Sequence, residues 1–250
     1  MAKIVVIGGT GLVGSKLVAK LTGQGHEAVA ASPNSGVNTM TGEGVAAVLE
    51  RAQVVVDVSN SPSFEEKAVL DFFTTSTTNL LAAAKVAGVG HYVALSVVGT
   101  ERLAESPYFR AKIAQEKLIE EAGIAFSIVH ATQFFEFVRS IANSSTVDGV
   151  VHLSSALIQP MAADDVATAV GRTAVGEPIN GTVEVAGPEQ FGLDELIRTG
   201  LTIDGDPREV VVDPEARYFG ALLGERTLLP GDGALAFDTR FADWAAEPAK

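Results

Sequence analysis

The sequence predicts an α/β fold, a doubly wound parallel sheet with a small lobe toward the C-terminus. Two observations carry that prediction. Short runs of branched apolar residues alternate with longer stretches of helical spacing through the first half of the chain, and glycines stop the helical stretches where the next strand must begin. Unbroken Val/Ile runs mark strands buried on both faces. Strand–helix–strand repetition gives right-handed crossovers and one sheet covered by helices.

Each element follows from its residues. Ile4 to Ile7 is a buried strand, and Leu12 to Leu21 repeats apolar residues at helical spacing until Gly23 and Gly25. Ala28 to Ala31 reads as the second strand, Val45 to Ala52 as a helix, and Val54 to Val58 as the third strand. Glu65 to Ala87 reads as one long helix closed by Gly88, and Tyr92 to Val98 as the next strand. Ser106-Pro107 opens a helix with an N-cap and a first-turn proline, running to Ala122, before the strand Phe126 to His130. Beyond about residue 140 the rhythm loosens. Strands are expected at Val150–Leu153, Thr182–Ala186 and Glu209–Val212, and helices at Asp164–Val175 and Leu193–Leu201. We therefore expect residues 1–140 to form the core and 141–250 a smaller lobe packed on it.

Composition narrows the function. The 250 residues carry 18 Lys and Arg against 31 Asp and Glu, a net charge of −13. A surface that acidic disfavours nucleic acid and anionic membrane as partners. There is no cysteine, so disulfides, thiolate zinc sites and cysteine nucleophiles are excluded. The four histidines, His26, His91, His130 and His152, show no metal-binding spacing, and no metal is expected. No G-x-S-x-G elbow supports a hydrolase. The N-terminal apolar run is too short for a signal peptide, and no run is long enough to span a membrane. The expectation is a cytoplasmic protein acting on a small molecule; the sequence allows a homo-oligomer.

Residues 8 to 14 read Gly8-Gly9-Thr10-Gly11-Leu12-Val13-Gly14, between the first strand and the first helix. Glycines at this spacing permit the tight turn, the close approach of a pyrophosphate, and the packing of helix on strand. The free amides of the helix start then hold phosphate oxygens. This is a Rossmann-like dinucleotide site, with Gly8, Thr10, Gly11, Leu12, Val13 and Gly14 as its floor. The second strand ends in Ser32-Pro33-Asn34-Ser35, without the acidic residue that an NAD site usually offers to the ribose. NADP(H) is therefore expected over NAD(H), with Ser32, Asn34 and Ser35 as neutral donors. Tyr108 and Lys112 stand in Y-x-x-x-K spacing, which puts them on one helix face. An ammonium there would favour the ionised phenol, and Ser96 at the strand end would bond a substrate oxygen.

These stretches, together with Ala82–Val89, Lys112 with Glu116, and Phe126–Glu136, resemble an atypical short-chain dehydrogenase/reductase of the NmrA-like kind. The resemblance extends more weakly to Gln159–Val166 and Val185–Pro188. It implies an NAD(P)-binding protein that reduces carbonyls, quinones or imines, with Ser96, Tyr108 and Lys112 reacting. Ser59 and Asn60 would line the adenosine side. Ala131 and Thr132 would flank the nicotinamide, Phe134, Phe135 and Tyr218 with Phe219 would make the substrate pocket apolar, and Asn79 would back the trio. His130 stands where many relatives have arginine, and Ala131-Thr132 replaces the usual Pro-Gly. Two rival readings are a non-catalytic nucleotide-binding redox sensor and, with less support, a nucleotide-sugar epimerase or dehydratase.

Overall fold

Val and Ile at successive positions of the first and third strands leave no polar face, so both sides of the sheet must be covered. The computed structural model describes residues 1–247. The first half runs β1 (Lys3–Ile7), α1 (Leu12–Gly23), β2 (Glu27–Ala31), α2 (Val45–Leu49), β3 (Val54–Asp57), α3 (Glu66–Ala87), β4 (His91–Val97), α4 (Pro107–Glu120) and β5 (Phe126–Ala131). Then come α5 (Val138–Ser144), β6 (Thr146–Val147), β7 (Val150–Leu153), β8 (Leu157–Ile158), α6 (Ala163–Val175), β9 (Gly181–Ala186), β10 (Phe191–Gly192) and α7 (Leu193–Ile203). The chain closes with β11 (Val210–Val212), β12 (Arg217–Tyr218), β13 (Ala221–Leu222), β14 (Leu235–Ala236) and α8 (Phe241–Ala246).

Seven strands form one parallel sheet in the order β14-β9-β5-β4-β3-β1-β2, a Rossmann-like architecture. On one face Val13, Leu17 and Leu21 of α1 and Val166 and Val170 of α6 pack on Ile4, Val6 and Val93. On the other, Leu49, Leu80, Ala84 and Ile119 from α2, α3 and α4 pack on Val5, Val55, Tyr92 and Ile128. No helix among the described residues is long and apolar enough to cross a membrane.

The expected division at residue 140 is not how the chain is shared out. α6 packs against α1, and β9 and β14 are the sixth and seventh strands of the main sheet. Only α5, α7, α8 and the short strands between them make the lobe, around Phe135, Ile141, Leu196, Leu201 and Phe241. The second expected helix stops at Leu49 rather than Ala52, because Arg51 adopts a left-handed conformation (φ 61) that turns the chain into β3. The two-residue strands went unforeseen, since two residues show no periodicity.

Candidate active site

The glycine loop is fixed by what surrounds it. Gly8 has φ +77, and its amide donates to the Ala31 carbonyl at 2.9 Å. A Cβ on Gly14 would lie 2.1 Å from the Gly8 oxygen, and one on Gly9 2.7 Å from the Val6 oxygen. One on Gly8 would lie 2.9 Å from Ser59, in the loop after β3. The loop is thus pressed between β2, β3 and its own helix. Gly11 is the N-cap of α1 and supplies no side-chain cap, and the first turn holds no acidic residue, so the positive end of the helix is left to an anion. The order β2-β1-β3 places this end at the switch point of the sheet, where ligands enter α/β folds. A pyrophosphate fits here: Gly8, Gly9, Gly11 and Gly14 carry no Cβ atoms to keep it from the backbone, and the first helical turn has no acidic residue. Thr10, Gly11 and Leu12 are exposed at its mouth, whereas the Val13 side chain turns into the core, leaving only its backbone to a ligand.

After β2, Ser35 Oγ donates to the Ser32 carbonyl at 3.0 Å and accepts from the Ser32 amide at 2.9 Å. Its proton is spent inside the turn, and Ser32 is buried. Of the three neutral donors expected there, Asn34 alone is exposed with its side chain uncommitted. Ser59 is likewise engaged: its amide and hydroxyl both donate to Asp57 Oδ1, at 3.0 and 2.6 Å. Asn60 is exposed.

Asp57, the last residue of β3, is the centre of a buried network. Its Oδ2 accepts from Gln115 Nε2 at 3.1 Å and from the Tyr92 hydroxyl at 3.4 Å. Gln115 Oε1 in turn accepts from Lys112 Nζ, which also donates to the Leu95 carbonyl at 2.9 Å. Lys112 is 2% exposed. Burial pushes its ammonium down to about 8, against the opposing pull of Asp57 and Glu116. A second cluster adjoins it. Ser96 Oγ donates to Glu116 Oε1, and His130 Nε2 lies 3.0 Å from the same oxygen. Burial alone would raise the Glu116 carboxyl; hydrogen bonds from His130 and Ser96, with the positive charge of His130 and Lys112, outweigh it and hold it below its ordinary value. Ser96 is therefore a member of this network. It does not stand at the crevice with a free hydroxyl, as the sequence led us to expect.

Tyr108 sits one turn before Lys112 on α4. Its ring lies 5.6 Å from Phe64, 5.9 Å from Phe73 and 5.3 Å from Phe109, centroid to centroid. Lys112 Nζ lies 4.6 Å from the same Phe73 ring. The spacing does put both on one side, but the tuning runs opposite to expectation. Burial pushes the Tyr108 phenol up to about 12, and no hydrogen bond links it to Lys112. The phenol stays protonated.

At the end of β5, Ala131 and Thr132 are buried, and Thr132 Oγ1 and both polar atoms of the Gln133 side chain have no partner among the described residues. Phe134 is half-buried and stacks on Phe137 at 5.2 Å. Phe135 is not a crevice residue. It is 1% exposed and packs on Phe241 and Trp244 in the lobe. Asn79 donates to the Thr39 and Met40 carbonyls and takes no part in the network. Tyr218 is buried beside Tyr108, and its phenol is raised by burial and by Tyr108. Sequence reasoning missed Asp57, Gln115, Gln133 and Phe64. A lone acid closing an all-valine strand was a usable signal for Asp57, since carboxylates are rarely buried unpaired; Phe64 carried none.

A family model described as the NAD dependent epimerase/dehydratase family matches residues 4–167. The photosystem II assembly factor Ycf39 of Cyanophora paradoxa is 24% identical over 147 residues, 53% of this chain and 46% of that protein. The chain thus spans about half the length of the curated relatives it matches. Among solved structures, the UDP-glucose 4-epimerase of Thermus thermophilus in complex with NAD is 16% identical with a TM-score of 0.69, covering 91% of this chain and 92% of that one. The NADPH-dependent quinone oxidoreductase QOR2 of Escherichia coli, complexed with NADPH, is 17% identical with a TM-score of 0.70, covering 97% and 98%. Likeness at these identities speaks for the fold. The family match takes in the glycine cradle, Asp57 and all of α4, and on it the chain belongs to the NAD dependent epimerase/dehydratase family.

Proposed function

We propose that the chain is an NAD(P)H-dependent reductase of the short-chain dehydrogenase/reductase type, akin to the NmrA-like proteins. It reduces the carbonyl or imine of a small apolar substrate. The observation that carries the reading is the glycine cradle at the switch point, which a Cβ at Gly14 would fill. The bound dinucleotide supplies a hydride. Tyr108 supplies the proton: a phenol raised to about 12 keeps its proton at neutral pH, the form a donor needs. Lys112 holds a positive charge beneath the end of β4, where it favours negative charge developing on a substrate oxygen. Ser96 and His130 act through Glu116 and keep that carboxylate ionised. NADP is the favoured cofactor, because nothing acidic follows β2 and Asn34 is free to donate.

A nucleotide-sugar substrate fits less well, because its diphosphate calls for free cations in the lobe. There Arg139, Arg198, Arg208, Arg217 and Arg240 are each paired with a carboxylate, which leaves Arg226 as the one lobe arginine without an ion pair among the described residues. One observation favours a second reading, a dinucleotide-binding sensor without turnover: the polar atoms of Ser96 and Lys112 are already engaged inside the fold.

The test is calorimetric titration with NADPH and NADH, followed by cofactor-oxidation assays over ketones, imines and quinones. We expect NADPH to bind more tightly than NADH. Tyr108→Phe should lower turnover by about 10²–10⁴-fold with dinucleotide affinity retained. Binding without oxidation across the panel would establish the sensor, and absence of binding would end both readings.

A further inference from the structure

β12 and β13 pair as a hairpin, Tyr218 opposite Ala221, so the loop is only Phe219-Gly220. Both residues have positive φ, 48 and 94. Two-residue hairpin loops of this kind favour Asn-Gly or Asp-Gly, and a bulky aromatic residue in the first position is strained. Core burial does not offset that strain, because Phe219 is 38% exposed. Its ring instead reaches Phe64, itself 55% exposed, with centroids 6.0 Å apart and planes at 33°. Arg217 fixes the hairpin through the Gly220 carbonyl at 2.8 Å and Glu105 at 3.1 Å.

Behind these rings stand two phenols. Tyr108 lies 5.6 Å from Phe64, and Tyr218 is 8% exposed with its ring edge-on to Phe219 at 4.8 Å. Neither hydroxyl has a hydrogen-bond partner among the described residues, and the two are near enough for charge on Tyr108 to act on Tyr218. A strained turn that exposes an aromatic face, a second exposed ring opposite it, and unpartnered hydroxyls at the back make a site for a flat molecule with an oxygen at one end.

We propose that Phe64 and Phe219 clamp a planar aromatic carbonyl compound, an aryl aldehyde, aryl ketone or quinone, whose oxygen accepts the Tyr108 hydroxyl. A flat guest needs roughly 7 Å between rings, twice the ~3.5 Å of optimal carbon contact. With centroids 6.0 Å apart and planes tilted by 33°, the rings now touch one another, and the hairpin must both open and turn to admit the guest. An aliphatic carbonyl compound of equal size gains area but no stacking. The inference names the substrate of the proposed reductase and rests on that reading for turnover, though not for binding.

The experiment is calorimetric titration of naphthaldehyde and of its fully saturated analogue into the whole chain, with and without NADP, for the native protein, Phe64→Ala and Phe219→Asn. Stacking at each ring should give about a threefold to tenfold preference for the aromatic ligand. Phe219→Asn should lose that preference while the melting temperature stays level or rises, because asparagine suits the turn. Equal binding of the two ligands, or an unchanged preference in both variants, would overturn the clamp. So would a dimer in solution that dissociates on Phe219→Asn, since the rings would then be an interface between copies. Aromatic-selective binding with no cofactor oxidation would keep the clamp and remove the reductase. Oxidation of NADPH with both aldehydes alike, indifferent to residue 219, would do the reverse.

Discussion

The two walls of the crevice are built from different materials. The β1–α1 wall is backbone: what makes it work is the absence of Cβ atoms at Gly8, Gly9 and Gly14. The α4 wall is side chain: Tyr108, Lys112, Gln115 and Glu116 reach across to Asp57, Leu95, Ser96 and His130. Residue identity alone specifies the first wall, because a missing side chain has no rotamer to choose. The second depends on where each side chain points and on partners as far away as Asp57 is from Gln115.

The largest expected effect lies on the backbone wall. In Gly14→Ala the new methyl would meet the Gly8 oxygen at 2.1 Å and Gly9 Cα at 2.7 Å, all of it backbone that cannot rotate away. Dinucleotide affinity should fall by about 100-fold or more, with α1 displaced from β1. Gly11→Ala is the internal control, since its methyl meets only the Gly8 oxygen at 3.3 Å and its φ of −81 is ordinary; affinity there should change by less than about tenfold. A folded Gly14→Ala protein that binds NADPH as the native chain does would break the comparison.

The same contrast explains what was readable. The sheet and its crossovers followed from Val/Ile runs and glycine stops, because periodicity reports burial directly. The cradle followed from glycine spacing. At the α4 wall the i,i+4 spacing correctly put Tyr108 and Lys112 together, but spacing says nothing of depth, and depth reversed the expected electrostatics: burial raised the phenol and lowered the amine. Ser96 stands at the expected strand end and on the α4 face, but its hydroxyl is taken up by Glu116, and a strand position says nothing of the partner a side chain finds across the helix. Phe134 and Phe135 show the same ambiguity. The sequence offered both to the substrate, and the structure sends Phe135 into the lobe. Phe135→Ala should thus cost about 3–5 kcal/mol of stability and Phe134→Ala about half that, read from urea unfolding midpoints.

A smaller effect tests the depth of Lys112. Its folded-state pKa of about 8 lies below the ordinary 10.5. Between those pH values the unfolded chain carries a proton that the folded chain has released, so stability rises with pH. Lys112→Met cannot show this. The difference in unfolding free energy between native chain and variant, measured without dinucleotide, should grow by ~2–3 kcal/mol from pH 8 toward pH 10.5. Tyr108, raised to about 12, lowers stability above pH 10, where the unfolded phenol ionises and the folded one does not, but it is present in both proteins and cancels in the difference. A flat difference would put Lys112 in water and return it to the role that spacing alone assigned.

The smallest expected effect is Ser96→Ala, and it separates the two accounts of the α4 wall most directly. A hydroxyl bonded to the substrate oxygen contributes about 100-fold or more to turnover. A hydroxyl bonded to Glu116 contributes only through that carboxylate. With Ser96 gone, Glu116 still faces His130 at 3.0 Å and the charge of Lys112, so it remains ionised at neutral pH. Its depressed pKa rises toward the ordinary value, and the stability it gives is lost at a higher pH on acidification. Turnover at neutral pH should fall less than about tenfold, while the acid limb of the pH–stability curve moves upward. A drop of about 100-fold with an unmoved acid limb would place the hydroxyl on the substrate. The side-chain wall would then be as legible from spacing as the glycine wall, and the distinction between the two would disappear.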